Sequence, residues 1–268
     1  MSKKITLIAE IGENHIGKIN YAEKMILQAK KAGADFVKFQ SYNSACLKKK
    51  DPEYEWFKKV ALSNSDHYRL KKFSIKKRIK FMSSPFSLER AKFLCEDLKL
   101  KSIKVASSKM TDLKLLNYLN SRCETIFLST GASNISEIKK SLKVLSNVDT
   151  KILHCVSEYP LNYKNANLRA IELLKEKFPG HEIGYSDHTI GNLAVITAIS
   201  LGATVIEKHF TLNKSFKGTD HILSATQKEL EEIRNYSHNI FLLRGKKIKT
   251  ATKKENKIKN FIRNRFKN

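Results

Sequence analysis

The stretch GYSDHTIGNLAVITAISLGATVIEKHF, residues 184–210, joins two short extended runs through an apolar segment of helical pattern. One histidine, His188, follows the first run, and a second, His209, lies at the end of the other. A strand, a helix and a second strand in this order predict two parallel strands joined by a right-handed crossover. The two imidazoles then belong to equivalent ends of successive strands.

The same alternation continues through the whole chain. Short apolar, β-rich runs are separated by amphipathic segments, and the runs are nearly continuously apolar, which is typical of parallel strands covered on both faces. The predicted strands are 5–12, 36–40, 80–85, 102–107, 125–130, 151–157, 182–188 and 205–210. The predicted helices are 20–32, 66–78, 87–99, 111–121, 133–146, 165–178, 190–202 and 227–243.

Eight strands and eight helices predict an α/β fold, the (β/α)8 TIM barrel, although a doubly wound sheet can have the same count. Two observations favour the closed barrel. No glycine-rich phosphate loop follows the first strand, and polar residues end nearly all eight runs instead of gathering at one switch point. We expect residues 1–243 to form the barrel domain and residues 244–268 to form a basic C-terminal helical tail.

The composition is that of a globular protein, with 41% hydrophobic and 29% charged residues in 268 positions. The net charge of +25 would attract nucleic acid, anionic membranes or anionic small molecules, but a lysine-rich compositional bias explains most of it. The start of the chain is unlike a signal peptide. Its longest apolar run, 193–206, is too short to span a bilayer. We therefore expect a cytoplasmic protein with no membrane partner.

Polar side chains at the carboxyl ends of the predicted strands mark the active-site face of a parallel barrel. Together they form a ring with several cations and few acids, which suits an anionic substrate carrying phosphate or carboxylate. The ring comprises Glu10, Asn14, His15, Lys38, Gln40, Ser83, Ser84, Lys104, Ser107, Ser129, Thr130, His154, Ser157, Tyr159, Ser186, Asp187, His188, Lys208 and His209.

Two pairs of residues in this ring have competing interpretations. His188 and His209 are too few for a structural zinc site but suit an open, Lewis-acid metal site; alternatively, each donates a hydrogen bond at the barrel rim. Lys38 and Lys104 lie in apolar runs, where a buried lysine needs a counter-charge such as a bound anion. They could instead face the helices and extend to solvent, or one could form a Schiff base.

Nine motifs in these runs resemble those of the sialic acid synthase (N-acetylneuraminate synthase) family. They follow the family's order and span most of residues 5–225. The motifs are IAEIGENHIG (8–17), ADFVKFQ (34–40), FMSSPFS (81–87), IKVASS (103–108), LSTGAS (128–133), ILHCVSEYP (152–160), GYSDHTIG (184–191), GATVIEKHFTL (202–212) and GTDH (218–221).

The resemblance implies a barrel enzyme that condenses phosphoenolpyruvate with an N-acyl amino-sugar aldehyde and releases phosphate, so no Schiff base is needed. It implies a homodimer and a divalent metal ion, Mn²⁺ or Mg²⁺, held by His188 and His209. The residues implied to bind phosphoenolpyruvate are Lys38, Ser84, Lys104, Ser107, Ser157 and Ser186. Those implied to face the sugar or handle protons are Glu10, Gln40, Tyr159 and Asp220. Within these sets, the expected catalytic residues are Glu10, Lys38, Lys104 and Asp220.

Two features depart from the family pattern. Lys109 occupies a position where members often carry an acid, and a reversed charge facing the sugar would change which aldehyde binds or weaken activity. The resemblance also covers the barrel only, without the antifreeze-like (SAF) domain that contributes an arginine to the partner's sugar site. We therefore expect a more open sugar site, a substitute such as Arg263 or Arg265 from the tail, or a separate protein that supplies the group.

These departures keep a second function open, a catalytically impaired barrel that acts as a binding or scaffold protein. A third function, nucleic-acid binding through the basic tail, is disfavoured because the tail lacks the interleaved aromatic residues of a stacking platform. The expected partners are thus phosphoenolpyruvate, an N-acyl amino sugar and a second copy of the chain, with no nucleic acid.

Overall fold

The computed structural model describes residues 5–266, apart from the side chain of Cys46. Eight parallel strands, numbered in chain order, are hydrogen-bonded in the order β3-β2-β1-β8-β7-β6-β5-β4. β3 and β4, at the two ends of this order, lie against each other, so the sheet forms a nearly closed barrel. The strands are β1 Thr6–Gly12, β2 Phe36–Ser41, β3 Lys80–Pro85, β4 Ser102–Val105, β5 Thr125–Ser129, β6 Asp149–Cys155, β7 Ile183–Asp187 and β8 Val205–His209.

The pairing of the first strand with the last decides between the two predicted folds. β1 pairs with β8 from Thr6 opposite Val205 to Glu10 opposite His209. Every other hydrogen-bonded pair joins strands that are consecutive in sequence. The barrel prediction is therefore confirmed, and the doubly wound alternative is wrong.

Helices cover the outside of the barrel at the predicted places, with one addition. The segment after β2 contains a short helix, α2, that the sequence pattern did not predict because it is only two turns long. The helices are α1 Ile19–Lys31, α2 Tyr54–Val60, α3 Asn64–Lys76, α4 Leu88–Lys92, α5 Leu113–Asn120, α6 Ile135–Val144, α7 Ala170–Lys177, α8 Leu193–Ser200, α9 Gln227–Arg244 and α10 Lys253–Arg263.

Side-chain caps begin several of these helices. Ser87 caps α4 by accepting a hydrogen bond from the Arg90 amide. Ser63 caps α3, and Asp66, the third helical residue, completes the capping box. Asp112 and Asn134 cap α5 and α6.

The interior of the barrel is layered because successive side chains on a strand point to opposite faces. On β8, Val205, Glu207 and His209 all point inward, and only the first is apolar. Equivalent apolar residues from other strands complete a layer below the polar one. This layer consists of Ile8, Phe36, Met82, Phe127, Leu153 and Val205. It closes the barrel beneath the site and keeps water out from that side.

The last two helices of the described chain, α9 and α10, differ in whether they pack against the barrel. Helix α9 buries Leu230 and Ile233 against the barrel, whereas every residue of α10 is exposed. The predicted division into residues 1–243 and 244–268 stays a prediction, and its outer ends, residues 1–4 and 267–268, lie outside the described residues. None of the helices within residues 5–266 combines the length and the apolar character needed to cross a lipid bilayer.

Arg234 attaches α9 to the start of the barrel. Its guanidinium donates to the carbonyl oxygens of Gly33 and Ile5 and pairs with Asp35 at 2.6 Å. We predict that Arg234→Ala lowers the free energy of unfolding by about 2–3 kcal/mol, because hydrogen bonds from a charged group are lost from partly buried acceptors. Urea denaturation followed by circular dichroism measures this change.

Arg69→Ala is the matched control. Its ion pair with Glu23 is also short, at 2.8 Å, but the arginine side chain is 58% exposed. Exposed ion pairs contribute below about 1 kcal/mol. Equal losses for the two variants would contradict the attachment role of Arg234.

Candidate active site

A cavity of about 490 Å³ opens at the carboxyl ends of the strands. Inward-facing residues of the strands form its floor, and the loops that follow the strands form its mouth. The wall contains every predicted site residue except Lys109. These residues are Glu10, Lys38, Gln40, Ser84, Lys104, Ser107, Ser157, Tyr159, Ser186, His188, His209 and Asp220.

Several other members of the predicted polar ring belong to the scaffold. Asn14 donates to the Phe210 carbonyl, and the His154 ring bonds to the Ala166 carbonyl at 2.8 Å.

Lys109 lies outside the cavity. Its Nζ atom is 3.9 Å from Asp112 Oδ2, and the residue is not part of the cavity wall. The two tail arginines that could have replaced the missing group, Arg263 and Arg265, are also not among the described residues of the wall.

Four buried charged side chains, here called the floor network, occupy the centre of the cavity floor: Glu10, Lys38, Lys104 and Glu207. Lys38 Nζ lies 3.3 Å from Glu10 Oε2 and 3.1 Å from Glu207 Oε1. Lys104 Nζ lies 3.5 Å from the same Glu207 oxygen. The prediction that the lysines point into the barrel is therefore confirmed, and the alternative that they extend to solvent is wrong.

The two carboxyl groups of the floor network, Glu10 and Glu207, have different pKa values. Burial would raise the pKa of Glu207, but Lys104 and Lys38 outweigh burial and hold that pKa at about 2. Burial raises the pKa of Glu10 to about 7, only partly opposed by Lys38. Burial also lowers the pKa of Lys104. One carboxylate is thus permanently charged, and the other can exchange a proton near neutral pH.

Serine hydroxyls surround the lysines. The Oγ atoms of Ser84 and Ser129 are buried and have no hydrogen-bond partner among the described residues. A Cβ atom on Gly131 would lie 2.5 Å from Ser157 Oγ and 2.7 Å from Ser107 Oγ, so a larger residue there would displace those two hydroxyls. Hydroxyl donors beside two ammonium groups form a site suited to phosphate and carboxylate oxygens.

His188 and His209 converge on the same side of the cavity. Their ring centroids are 5.4 Å apart, and the ring of Tyr159 lies 3.9 Å from that of His188. Burial lowers the pKa of His188 to about 4 and that of His209 to about 3, so both rings are neutral at pH 7. Neutral imidazoles are the form that binds metal ions.

The contacts of the Nδ1 atoms of His188 and His209 also suit a metal site. His188 Nδ1 bonds to the Val156 carbonyl at 2.7 Å, which places the proton on Nδ1 and leaves the Nε2 lone pair available. Asp220 Oδ2 lies 3.3 Å from His209 Nδ1. Within residues 5–266, no three metal-binding side chains surround one point. Two neutral imidazoles that line the same cavity fit a divalent ion whose other positions stay open for water and substrate.

The structure also adds acidic residues that the sequence reasoning missed. Glu207 was detectable, because it precedes His209 by two positions and so shares its face of β8. Glu13 and Glu53 could not be predicted as cavity residues. Glu13 lies on a loop, and Glu53 lies at the start of α2, a helix that the sequence pattern did not predict. Within the described part of the chain, five acids line the cavity: Glu10, Glu13, Glu53, Glu207 and Asp220. The expectation of few acids is therefore wrong.

A second buried ion pair, between Asp187 and Lys208, lies on the outer face of the barrel. The two charged atoms are 2.6 Å apart and both side chains are at most 1% exposed. Tyr185 and Thr189 donate further hydrogen bonds to the same carboxylate. Asp187 directly precedes His188, and Lys208 directly precedes His209. This outer ion pair therefore joins β7 to β8 beside the two imidazoles.

Comparison with known proteins gives one family and several similar chains. A family model described as the NeuB family matches residues 25–249. The chain is 38% identical to N,N'-diacetyllegionaminic acid synthase of Campylobacter jejuni, over 97% of this chain and 84% of that protein. It is 31% identical to N-acetylneuraminate-9-phosphate synthase of Drosophila melanogaster, over 85% of this chain and 66% of that protein.

The crystal structure of an N-acetylneuraminic acid (sialic acid) synthetase from Leptospira borgpetersenii superposes with a TM-score of 0.90. That enzyme is 31% identical, and the match covers 97% of this chain and 92% of that one.

We predict that Lys208→Met lowers the free energy of unfolding by about 3–5 kcal/mol, because it leaves the Asp187 carboxylate buried without its partner. Urea denaturation measures the loss. Lys214→Met is the control, since its pair with Glu229 is partly exposed and should contribute below about 1 kcal/mol. A loss below about 1 kcal/mol for Lys208→Met would show that the outer ion pair does not hold β7 to β8.

We also predict that Glu13 makes the protein less stable as pH rises. Burial, together with Asp220, raises the pKa of Glu13 from 4.5 to about 8. Between these values the folded state holds a proton that the unfolded state has lost, so stability falls with rising pH. Glu13→Gln should match the wild type near pH 4, below both pKa values, and exceed its free energy of unfolding by about 3–5 kcal/mol at pH 8.

Urea denaturation at several pH values measures this difference, and groups that titrate in both proteins cancel from it. Glu55→Gln, an exposed position on α2, serves as the control and should show a constant difference from the wild type. A pH-independent difference for Glu13→Gln would contradict the prediction.

Proposed function

The chain belongs to the NeuB family, and on that premise we propose that it joins phosphoenolpyruvate to the aldehyde carbon of an N-acyl amino sugar. The products are a sialic-acid-like nonulosonic acid and phosphate. The proposed acceptor is N-acetylmannosamine or a related 6-deoxy diacetamido sugar. One observation carries the proposal: a floor of two buried lysines and unpartnered serine hydroxyls lies beside a pair of neutral imidazoles.

Phosphoenolpyruvate is proposed to bind on the floor. Lys38 and Lys104 neutralise its phosphate and carboxylate charges, and the surrounding hydroxyls donate hydrogen bonds. Glu207 keeps both ammonium groups in place before the substrate binds, because it lies within 3.5 Å of each. These hydroxyls come from Ser84, Ser107, Ser129, Ser157 and Ser186.

His188 and His209 are proposed to hold a divalent ion, Mn²⁺ or Mg²⁺. When bound, such an ion supplies Lewis-acid polarisation of the sugar aldehyde. The hydrogen bond from His188 to the Val156 carbonyl orients that ring toward the cavity. Asp220, whose Oδ2 lies 3.3 Å from His209 Nδ1, is proposed to accept hydrogen bonds from the sugar.

The reaction balances with one water molecule. The π electrons of phosphoenolpyruvate form a bond from C3 to the aldehyde carbon, and the aldehyde oxygen gains a proton. Water adds at C2, the bond from C2 to the phosphate oxygen breaks, and phosphate leaves. Glu10 is proposed to take the proton from water, since a carboxyl group with a pKa of about 7 suits a general base near neutral pH.

The alternative, an impaired barrel that only binds ligands, rested partly on Lys109. That argument weakens because the Lys109 ammonium lies beside Asp112 and outside the cavity wall. Turnover distinguishes the two functions, whereas binding of phosphoenolpyruvate alone does not. The homodimer and the cytoplasmic location stay predictions.

We predict metal-dependent phosphate release when the full chain is incubated with Mn²⁺, phosphoenolpyruvate and a panel of N-acyl hexosamines. His209→Ala should lower kcat/KM by at least about 100-fold, because the residue is proposed as a metal ligand. The variant should also bind Mn²⁺ more weakly in a titration followed by electron paramagnetic resonance.

His238→Ala is the matched control, because His238 is an exposed residue of α9 and should change neither measurement. A folded protein that releases no phosphate with any sugar on the panel would support the binding or scaffold alternative. Full activity in His209→Ala would contradict the proposed metal site while leaving the reaction itself standing.

A further inference from the structure

Cys95 and Cys123 lie side by side outside the cavity wall. Their Sγ atoms are 3.8 Å apart, and both side chains pack at the edge of the hydrophobic core while staying partly exposed. A disulfide bond is about 2.05 Å long, so each sulfur atom needs to move by about 1 Å to form one. The third cysteine whose side chain is described, Cys155, is instead buried in the cavity wall.

The local backbone brings the two thiols together. α4 continues as one turn of π-helix, Phe93–Asp97, after which the Leu98 amide donates to the Phe93 carbonyl at 2.9 Å. A π-helical turn contains more residues than an α-helical turn, so it changes the direction in which Cys95 points. Cys123 lies in the short connection between α5 and β5.

Contacts beside the two cysteines hold their backbone segments against each other. Tyr118 Oη donates to Glu96 Oε1 at 2.7 Å, and Arg122 Nε lies 3.9 Å from the same oxygen. Glu96 directly follows Cys95, and Arg122 directly precedes Cys123. The thiols are therefore kept opposite each other by groups on both segments.

The two thiols differ in acidity. A hydrogen bond from Cys123 lowers the pKa of Cys95, and the positive charges of Arg122 and Lys101 act in the same direction, against burial and Glu96. The same hydrogen bond and burial raise the pKa of Cys123. The thiolate, not the thiol, is the nucleophile. Cys95 is therefore suited to react first and Cys123 to react second.

We propose that Cys95 and Cys123 form an oxidisable dithiol site for a peroxide, in which Cys95 attacks the oxidant and Cys123 closes a reversible disulfide within the chain. The inference does not depend on the proposed function. A partly exposed cysteine in contact with a second one is the arrangement in which oxidation stops at a disulfide. In a reducing compartment such a bond is transient, because other thiols open it again.

The reaction balances with one molecule of hydrogen peroxide. Cys95 gives up its proton, and the thiolate attacks one peroxide oxygen. The O–O bond breaks, and the departing hydroxide takes up that proton to form water, which leaves Cys95 as a sulfenic acid. The sulfur of Cys123 then forms the S–S bond while the S–OH bond breaks. The second hydroxide combines with the thiol proton of Cys123 to form a second water.

The disulfide fastens the side of the barrel where the strands are not paired. Among the described strands, β4 is hydrogen-bonded to β5 and packs against β3 without a hydrogen-bonded pairing. Cys95 lies in the segment that leads into β4, and Cys123 lies in the segment that leads into β5. Joining these segments stabilises the attachment of β4, the strand that carries Lys104.

The test treats the reduced full chain with one equivalent of hydrogen peroxide and blocks the remaining thiols with iodoacetamide. After digestion with trypsin in the absence of a reductant, mass spectrometry should find peptides 93–99 and 123–139 joined by a disulfide. The four cysteines of the chain lie in four different tryptic peptides, so every other pairing is distinguishable. Dithiothreitol should separate the joined peptides.

The oxidised protein should also be more resistant to heat. The two cysteines are 28 positions apart, and closing this loop restricts the unfolded chain, so the melting temperature should rise by about 5 °C or more. Circular dichroism with and without dithiothreitol measures the change.

Cys123→Ser and Cys95→Ser are the matched variants. In Cys123→Ser the hydroxyl still donates a hydrogen bond but cannot form a disulfide, so the sulfenic acid of Cys95 should accumulate and react with dimedone. Cys95→Ser should take up at least about fivefold less dimedone at Cys123, because that thiol is the less acidic one. Neither variant should gain melting temperature from peroxide.

Complete alkylation of both cysteines after peroxide treatment would overturn the proposed site. A disulfide to Cys46 or Cys155, or one between two chains on a non-reducing gel, would overturn the pairing. Equal dimedone labelling of the two variants would overturn the role of Cys95 as the attacking thiol. A disulfide that leaves the melting temperature unchanged would overturn its stabilising role beside β4.

Discussion

The cavity depends on one physical constraint: two lysines are almost completely buried in its floor. Glu207 lies within 3.5 Å of the Nζ atoms of Lys38 and Lys104, and Glu10 pairs with Lys38, so two carboxyl groups oppose the effect of burial on the pKa values of these lysines. Such buried ion pairs add little net stability, because desolvation offsets their attraction. In the proposed function these lysines bind an anion, and their pairing with Glu207 orients both side chains before the substrate binds.

The arrangement around this floor network divides the cavity electrostatically. Two lysines, serine hydroxyls and the carboxyl groups of Glu10 and Glu207 lie at the bottom, two neutral imidazoles lie to one side, and further carboxyl groups line the mouth. The two proposed substrates divide in the same way, since phosphoenolpyruvate carries the charge and the amino sugar carries the hydroxyl and amide groups.

The scaffold outside the cavity keeps these groups in register. The outer ion pair between Asp187 and Lys208 joins the two strands that carry the histidines, and it is satisfied by hydrogen bonds from Tyr185 and Thr189. The apolar layer beneath the floor closes the barrel from the other end. Because strand side chains alternate in direction, each strand contributes to both the scaffold and the site.

The barrel and the site residues on its strands could be predicted from the sequence. The alternation of apolar runs and amphipathic segments repeats eight times, and the polar residues at the ends of the runs converge once the sheet closes. Residues such as Lys38, Ser84 and His209 lie on strands, whose two-residue period makes their direction predictable. The same period would have found Glu207, which lies two positions before His209.

Tertiary structure alone decided which residues form the mouth. Glu13 and Glu53 lie on a loop and on a two-turn helix, where no periodicity links sequence position to direction, and their proximity comes from contacts of Trp56 across three segments. Lys109 is the opposite case: it follows a site strand, but the turn after β4 places its ammonium 3.9 Å from Asp112 Oδ2 and outside the cavity wall. The sequence by itself determined the barrel and its floor, because strands repeat. The mouth required the packing of loops against one another, because loops do not repeat.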